Sequence, residues 1–178
     1  MTDERKGFIS ASAIESSADC NGKWGAERDI PRGESGADAV RGTRIHAALA
    51  GVAVKLPEDD LEIFHQLLRK KNYLVETYFP DGVDREILEQ RLFLRDAAIG
   101  ENRFSGMPDY VGVKGGKFLL IDYKTGQGNV STSADNLQLR ALAVLLAETY
   151  QVDSVFAAIV QVYEDPQIVA YGKADLAD

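Results

Sequence analysis

Cysteine and long apolar runs are scarce in this chain of 178 residues. Its single cysteine, Cys20, excludes an intramolecular disulfide and any metal cluster that needs several thiolates. No apolar run approaches the length of a membrane span, and residues 1–6 lack the apolar segment of a signal peptide. We therefore expect a protein of the reducing cytoplasm, with Cys20 packed as a small hydrophobic residue.

Basic residues are also outnumbered. There are 20 Lys and Arg against 28 Asp and Glu, so the net charge is −8. A protein that binds nucleic acid mainly through phosphates is expected to have a basic face. The acidic balance therefore argues against tight non-specific DNA binding by this chain alone, although a bound metal can reverse the local field. The length predicts a single domain over residues 1–178, with residues 1–8 flexible and residues 21–37 forming a loop.

The most informative stretch joins two apolar segments through Gly115-Gly116, a typical hairpin turn. Such a turn fixes the register of the flanking strands, and counting outward from it places Asp109 opposite Asp122. Two carboxylates in that position have Cβ atoms about 5 Å apart and repel each other unless a cation, such as a divalent metal, lies between them. Lys124 shares the strand face of Asp122. The pattern predicts a site with two acids and one ammonium group.

A structural ion pair is the alternative interpretation, in which Lys124 only neutralises one acid. Residues Phe118–Ile121 form a continuous apolar run, typical of a strand buried on both faces, and Asp122 follows it directly. Because a buried charge needs a partner, burial and spacing favour the metal site. Glu89, on a predicted strand over residues 86–95, either lines the cleft or pairs with a basic neighbour.

The rest of the pattern predicts a mixed α/β sandwich, in which helices precede a meander of three strands and a further helix precedes one or two strands. The basic cluster Arg69–Lys71 is interpreted as a solvated helix face, with a phosphate-contacting patch as the alternative. The predicted helices begin near Ile9 and cover residues 37–52, 57–79 and 134–150. The predicted strands cover residues 86–95, 117–124, 152–163 and 168–171, and a further strand begins at Arg103, carries Asp109 and ends at the Gly115-Gly116 turn.

Four motifs in this order resemble the PD-(D/E)XK nuclease superfamily, and more narrowly its RecB-like exonuclease branch. Met107–Asp109 followed by Asp122–Lys124 resembles the name-giving motif. Gly42–His46 resembles the upstream G-T-x-x-H motif, and Asn136–Arg140 resembles the downstream glutamine motif. The resemblance covers residues 10–163 and implies a restriction-endonuclease-like mixed sheet with an α-β-β-β-α-β core and helices on both faces.

The resemblance also implies an activity and a site. It implies a nuclease that hydrolyses DNA phosphodiester bonds with Mg²⁺ or Mn²⁺, of the exonuclease kind that acts on linear ends in recombination or repair. The metal ligands would be His46, Asp109, Asp122 and the main-chain carbonyl of Tyr123. The catalytic residues would be Asp109, Asp122, Lys124 and Gln138, and the weaker candidates for substrate contacts are Arg44 and Arg140. Because imidazole is a poor partner for magnesium, Mn²⁺ is as good a candidate as Mg²⁺.

Two positions depart from the family pattern. Leu142 stands where the branch commonly has a tyrosine, so the substrate contact of that tyrosine has no counterpart. Some relatives hold an iron–sulfur cluster with four cysteines, and Cys20 alone implies no cluster here. Residues Ser10–Ser12 resemble phage-encoded members, which implies the host cytoplasm. The expected partners are DNA and either a recombination protein or a second copy, with no membrane.

Two other functions remain open at this point. The acidic balance and Leu142 are compatible with a non-cleaving module that binds DNA or a partner protein on the same fold. A metal-dependent phosphatase acting on small phosphomonoesters is the second alternative.

Overall fold

The computed structural model describes residues 8–18, 20, 22–27, 30, 36–95, 100–126 and 130–177. The helices of this part are α1 Ile14–Ala18, α2 Lys23–Glu27, α3 Ala37–Leu49, α4 Glu58–Tyr78, α5 Leu137–Tyr150 and α6 Lys173–Ala177. The strands are β1 Ile9–Ser10, β2 Arg85–Leu88, β3 Leu92–Arg95, β4 Asn102–Gly106, β5 Tyr110–Lys114, β6 Lys117–Lys124, β7 Ser154–Gln161 and β8 Gln167–Gly172.

Two mixed sheets form the centre of the fold. The larger has the strand order β2-β5-β6-β7-β8, and the smaller has the order β1-β4-β3. Strand β6 is antiparallel to β5 and parallel to β7, so the chain must cross over between β6 and β7, and α5 makes that crossover. Helix α5 packs on one face of the larger sheet, and α3 and α4 pack on the other. The expected mixed sheet with helices on both faces is confirmed.

Strand β6 is the centre of the hydrophobic core, because both of its faces are covered. Leu119 and Ile121 face α3 and α4, whereas Phe118 and Leu120 face α5. All four side chains of Phe118–Ile121 are at most 4% exposed. The apolar run therefore predicts its environment correctly, and it places the polar residues that follow it at the end of a rigid, buried strand.

The hairpin between β5 and β6 has the predicted register. Lys114 lies opposite Lys117, and the ladder continues outward to Tyr110 opposite Ile121. Gly115 and Gly116 both have positive φ, at 54° and 78°, which a tight two-residue hairpin turn requires and which side chains other than glycine rarely adopt. The next position beyond the ladder is Asp109, which therefore lies at the mouth of the hairpin beside Asp122.

The predicted strand over residues 86–95 is wrong as a single element. The chain leaves β2 at Leu88, turns at Glu89 with a φ of 47°, and enters β3 at Leu92. Strand β2 pairs with β5 in the larger sheet, whereas β3 pairs with β4 in the smaller sheet. The predicted strand from Arg103 through Asp109 to the hairpin turn is likewise two strands, since β4 ends at Gly106 and β5 begins at Tyr110 in the other sheet. Alternation of side chains does not reveal such a corner, because a left-handed backbone at a glutamate leaves no mark in the sequence.

The N-terminal predictions are partly wrong. Ile9 begins a short strand parallel to β4, a turn of 3₁₀ helix follows, and α1 starts only at Ile14. The expected loop over residues 21–37 contains the short helix α2, while residues 21, 28–29 and 31–35 lie outside the described residues. So do residues 1–7, which were expected to be flexible. Cys20 is exposed and not packed as a hydrophobic residue.

The interpretation of the cluster Arg69–Lys71 as a solvated face is wrong for its two lysines. The Lys70 ammonium donates to the main-chain oxygens of residues 161, 162 and 164, each at 2.7 Å, just beyond the end of β7. Burial lowers the pKa of Lys70, and the charges of Asp165 and Glu164 oppose that effect. Lys71 lies 3.4 Å from Glu86 and 4.7 Å above the Tyr110 ring. Both lysines anchor α4 to the sheet.

No helix in the described ranges is both long enough and apolar enough to cross a bilayer.

Gly106 on β4 lies close against side chains of α5, which makes it a test of the packing. A Cβ atom built there would lie 2.6 Å from Leu145 Cδ1 and 2.7 Å from Leu142 Cδ2, and both leucines are buried. We expect Gly106→Ala to reduce the free energy of unfolding by about 1–3 kcal/mol, because the core must repack. Urea denaturation measures this. Gly25→Ala is the control, since a Cβ there meets nothing within 4 Å and alanine favours a helix.

Candidate active site

The candidate site lies where α3, the mouth of the β5–β6 hairpin and the start of α5 meet. His46 comes from α3, Asp109 from the residue before β5, and Gln138 from the first turn of α5. Asp122 and Lys124 lie at the C-terminal end of β6, on the same face of the strand. The structure thus brings together every residue that the motifs singled out as catalytic or metal-binding.

Asp109 is held by both of its carboxylate oxygens, although it lies outside a strand. Oδ1 is 3.0 Å from His46 Nδ1, and Oδ2 accepts a hydrogen bond of 2.7 Å from the amide of Tyr123. The Tyr123 ring meets the His46 imidazole edge-on, with 6.0 Å between ring centroids. Burial lowers the pKa of His46, but the hydrogen bond to Asp109 and the surrounding carboxylates outweigh it and raise that pKa above 6.5. The imidazole therefore lies in a strongly negative environment.

Helix α3 approaches the end of β6 closely, and its glycine makes that approach possible. A Cβ atom at Gly42 would lie 3.0 Å from Thr125 Oγ1, just beyond β6. One turn later His46 lies on the same side of the helix, facing Asp109. Arg44 pairs instead with the buried carboxylate of Asp60 in the first turn of α4. The pair ties α3 to α4 and thereby fixes where His46 lies.

Asp122, Lys124 and Gln138 form a closed polar triangle. The Lys124 ammonium donates to Gln138 Oε1 at 2.9 Å and lies 2.7 Å from Asp122 Oδ2. Gln138 Nε2 in turn donates to Asp122 Oδ1 at 3.0 Å. Asn136 begins α5 by accepting a hydrogen bond from the Leu139 amide at 2.7 Å, which fixes the turn that carries the glutamine. Each side chain of the triangle thus restrains the other two.

The Asp122 carboxylate is only 3% exposed, and this burial dominates its chemistry. The pKa of Asp122 is raised to about 6, mainly by burial and then by the charge of Asp109, while Lys124 and His46 oppose the shift. Oδ2 has the ammonium as an ionic neighbour but accepts no hydrogen bond of good geometry within the described residues. A buried carboxylate oxygen of this kind is a ready ligand for a cation.

Glu89, for which the sequence left open a place in the cleft or an ion pair, lies with the candidate metal ligands. One oxygen of Glu89, one of Asp109 and one nitrogen of His46 all lie within 4.8 Å of each other. Burial raises the pKa of Glu89, as does the charge of Asp109, while His46 and Arg91 oppose the shift. The left-handed turn at Glu89 aims its side chain at the cleft, and nothing in its spacing or neighbours distinguishes it from an ordinary strand residue.

Three other positions lie apart from this cluster. Arg140, two residues after Gln138, donates to the main-chain oxygen of Asp175 on α6 at 2.9 Å. Like Arg44, it is engaged in the protein, and its contact with a phosphate stays a prediction. Leu142, at the place of the family tyrosine, is 1% exposed and projects from α5 into the hydrophobic core. It also lines a cavity of about 210 Å³ that adjoins Asp109.

The donor set fits a divalent metal ion. Metal–ligand bonds of about 2.1 Å at right angles place neighbouring ligand atoms about 3 Å apart, which is close to the separation of His46 Nδ1 and Asp109 Oδ1. Carboxylates with one imidazole suit Mn²⁺ and Mg²⁺, and the absence of nearby thiolates among the described residues disfavours softer ions. The residues that could hold the ion are His46, Glu89, Asp109, Asp122 and the carbonyl of Tyr123.

The mixed sheets with helices on both faces form a restriction-endonuclease-like fold. The chain belongs to the PD-(D/E)XK nuclease superfamily, whose sequence profile matches residues 9–177. Enzymes of this superfamily are hydrolases that cleave phosphodiester bonds with divalent metal ions, and the group around His46 and Asp109 is a suitable place for one. No curated protein matches the sequence.

One solved structure with a TM-score above 0.5 supports this fold at low sequence identity. The chain is similar to a presumed exonuclease from Eubacterium rectale, with 13% identity, a TM-score of 0.55, and coverage of 97% of this chain and 76% of that one. It is also compared with SSO0001, at 10% identity and a TM-score of 0.40, covering 96% of this chain and 67% of that one. The first similarity supports the fold, and the second is too low to carry an argument.

The raised pKa values predict how stability depends on pH without metal. A group whose pKa is raised on folding stabilises the protein at low pH, and that contribution is lost as the pH rises through the folded pKa. Asp122, Glu89 and His46 all shift in this direction. In a chelator, we expect the melting temperature of wild type to fall by several degrees between about pH 4 and about pH 7.

Differential scanning calorimetry measures this dependence, and Asp122→Asn is the comparison because it removes the most buried of these carboxylates. Its melting temperature should fall less over the same range. Asp153→Asn is the control, since the Asp153 side chain is 86% exposed. A wild-type protein whose melting temperature rises steadily over that range would contradict the electrostatic description.

Proposed function

We propose that this protein is a metal-dependent exonuclease that hydrolyses DNA from linear ends, of the RecB-like kind that serves recombination or repair. The observation that carries the proposal is the convergence of His46, Asp109 and the Asp122–Lys124–Gln138 triangle at one end of the central strand. The fold of the presumed exonuclease from Eubacterium rectale supports the same class of activity. A cytoplasmic location, including a host cytoplasm for a phage-borne copy, is part of the proposal.

The metal site proposed here uses Asp109 as its central ligand, with His46, Asp122 and the carbonyl of Tyr123 around it. Glu89 joins this set because its carboxylate lies with His46 and Asp109. A bound Mg²⁺ or Mn²⁺ would neutralise the scissile phosphate and lower the pKa of a coordinated water. The ion would also offset the repulsion between Asp109 and Asp122 that raises the pKa of Asp122. No iron–sulfur cluster is part of the proposal.

Lys124 supplies the cationic group next to Asp122 in this acidic site. Its ammonium, held between Asp122 and Gln138, is positioned to stabilise negative charge on the attacking water and on the scissile phosphate. Gln138 acts through Lys124: it accepts from the ammonium and donates to Asp122, so it keeps both groups in one geometry. Gln138 is therefore a positioning residue in this proposal.

Nuclease assays with linear and circular DNA test the activity. We expect wild type to degrade linear DNA in Mg²⁺ or Mn²⁺ and to leave covalently closed circles intact. Lys124→Met should lower the rate at least about 100-fold, because the transition-state charge loses its cationic partner. Lys117→Met, on the same strand but exposed at the hairpin turn, is the matched control and should keep the activity.

Two outcomes would count against this proposal. If Asp122→Ala degraded DNA at the wild-type rate, the site around Asp122 would not be the site of hydrolysis. Binding of metal without hydrolysis of any DNA would favour the alternative, a module that binds DNA or a partner protein and keeps the fold without cutting. Activity confined to small phosphomonoesters would indicate a phosphatase.

Metal titration tests the ligand set separately from catalysis. We expect isothermal titration of the wild type with Mn²⁺ to show binding, and His46→Ala and Glu89→Gln each to weaken it at least about 10-fold, since each removes one proposed ligand. His65→Ala is the control for the histidine, because His65 is exposed on α4 and its ring packs edge-on against Phe64. Unchanged Mn²⁺ affinity in Glu89→Gln would remove Glu89 from the set.

A further inference from the structure

A large cavity opens directly beside the proposed metal ligands. Its volume is about 620 Å³, within the range of about 300–1,000 Å³ that is typical of small-molecule sites. His46, Glu89 and Asp109 form one wall of this space, which we call the apolar cavity. The remaining lining residues are Gly42, Thr43, Ala47, Ala50, Val52, Leu88 and Met107.

The chemistry of the apolar cavity does not suit a phosphate backbone. Apart from the three proposed metal ligands and Thr43, its lining is glycine or hydrocarbon and thioether side chains, and no lysine or arginine is among the described residues that line it. Val52 is 56% exposed, Met107 39% and Leu88 38%, so three large apolar side chains face open space at its rim. Exposed apolar surface grouped around a concave site indicates a ligand with an apolar face.

A second, smaller cavity shares Met107 and Asp109 with the apolar cavity and has the opposite character. It is lined by Ser10, Ser12, Arg91 and Gln138 together with apolar residues, and its volume is about 210 Å³. Hydroxyl, guanidinium and amide groups are the donors that contact phosphate and sugar. Asp109 borders both cavities, so the proposed metal site lies between an apolar space and a polar one.

We infer that the apolar cavity binds the base and sugar of an unpaired nucleotide next to the scissile phosphate, so that the enzyme acts on single-stranded ends. This inference rests on the proposed function, because continuity with the metal ligands is what identifies the occupant as part of a nucleic acid. A base within a duplex must be unstacked and unpaired before it can enter a cavity, whereas an unpaired base can turn a flat apolar face to Leu88 and Met107 without that cost. Contact through the base face is tolerant of sequence, which suits an exonuclease.

The test measures kcat/KM on single-stranded oligonucleotides that carry one abasic residue at successive positions from the cleaved end. In wild type, removal of the base beside the scissile phosphate should lower kcat/KM about 10-fold, whereas distant positions should have little effect. The double variant Leu88→Ala and Met107→Ala should show almost no such penalty, because the contact is already lost. Ile168→Ala is the matched control, a comparably exposed side chain on β8, and should keep the full penalty.

A binding measurement provides a readout that does not depend on hydrolysis. In the Asp122→Asn background with Mn²⁺, fluorescence anisotropy should show at least about 10-fold tighter binding of a single strand than of a blunt duplex. Ala50→Phe, which fills the apolar cavity from the end of α3, should abolish this preference. Ala170→Phe is its control, on an exposed position of β8.

The outcomes separate this inference from the proposed function. Equal activity on blunt and single-stranded ends, or no abasic penalty in wild type, would overturn the inference and leave a nuclease. If no DNA is hydrolysed at all, the proposed function fails, and the anisotropy comparison still decides whether the cavity takes an unpaired base. Equal affinity for single and double strands would overturn the inference in that case too.

Discussion

The register of the β5–β6 hairpin is the constraint on which the site depends. Two glycines with positive φ close the turn in two residues, and this closure leaves only one alignment of the strands that follow. A slip by one residue would turn Asp122 and Lys124 to the opposite face of the sheet, away from Gln138 on α5. The apolar run before Asp122 protects that register, since a slip would also exchange the residues packed on its two faces.

Burial strengthens the electrostatic repulsion between the two carboxylates that the hairpin brings together. The charge of Asp109 raises the pKa of Asp122, and Lys124 and His46 are the cations that oppose that shift. Hydrogen bonds hold Asp109 to His46 and to the Tyr123 amide, and hold Asp122 to Gln138. These contacts keep the two carboxylates from moving apart to relieve their repulsion. The site is therefore preorganised at a cost in stability, as is expected where function and folding have different requirements.

Sequence patterns predicted the parts of the fold that depend on local chemistry. The turn glycines predicted the hairpin and its register, and the run Phe118–Ile121 predicted a strand buried on both faces. What could not be predicted depends on long-range contacts. The corner at Glu89, the lysines that anchor α4 and the pairing of Arg44 with Asp60 arise from elements distant in sequence, and charged residues look alike until their partners are known. Likewise, the resemblance singled out His46, while its contact with Asp109 needed the fold.

The turn at Glu89 performs two tasks at one residue. It carries the chain from the larger sheet to the smaller one, and it aims a carboxylate at His46 and Asp109. The path of the chain between the two sheets and the position of the Glu89 carboxylate therefore depend on the same backbone turn. A lineage could not insert, delete or regularise residues there to vary the sheet without also displacing the acid, so the corner should drift more slowly than the exposed loops of the same protein.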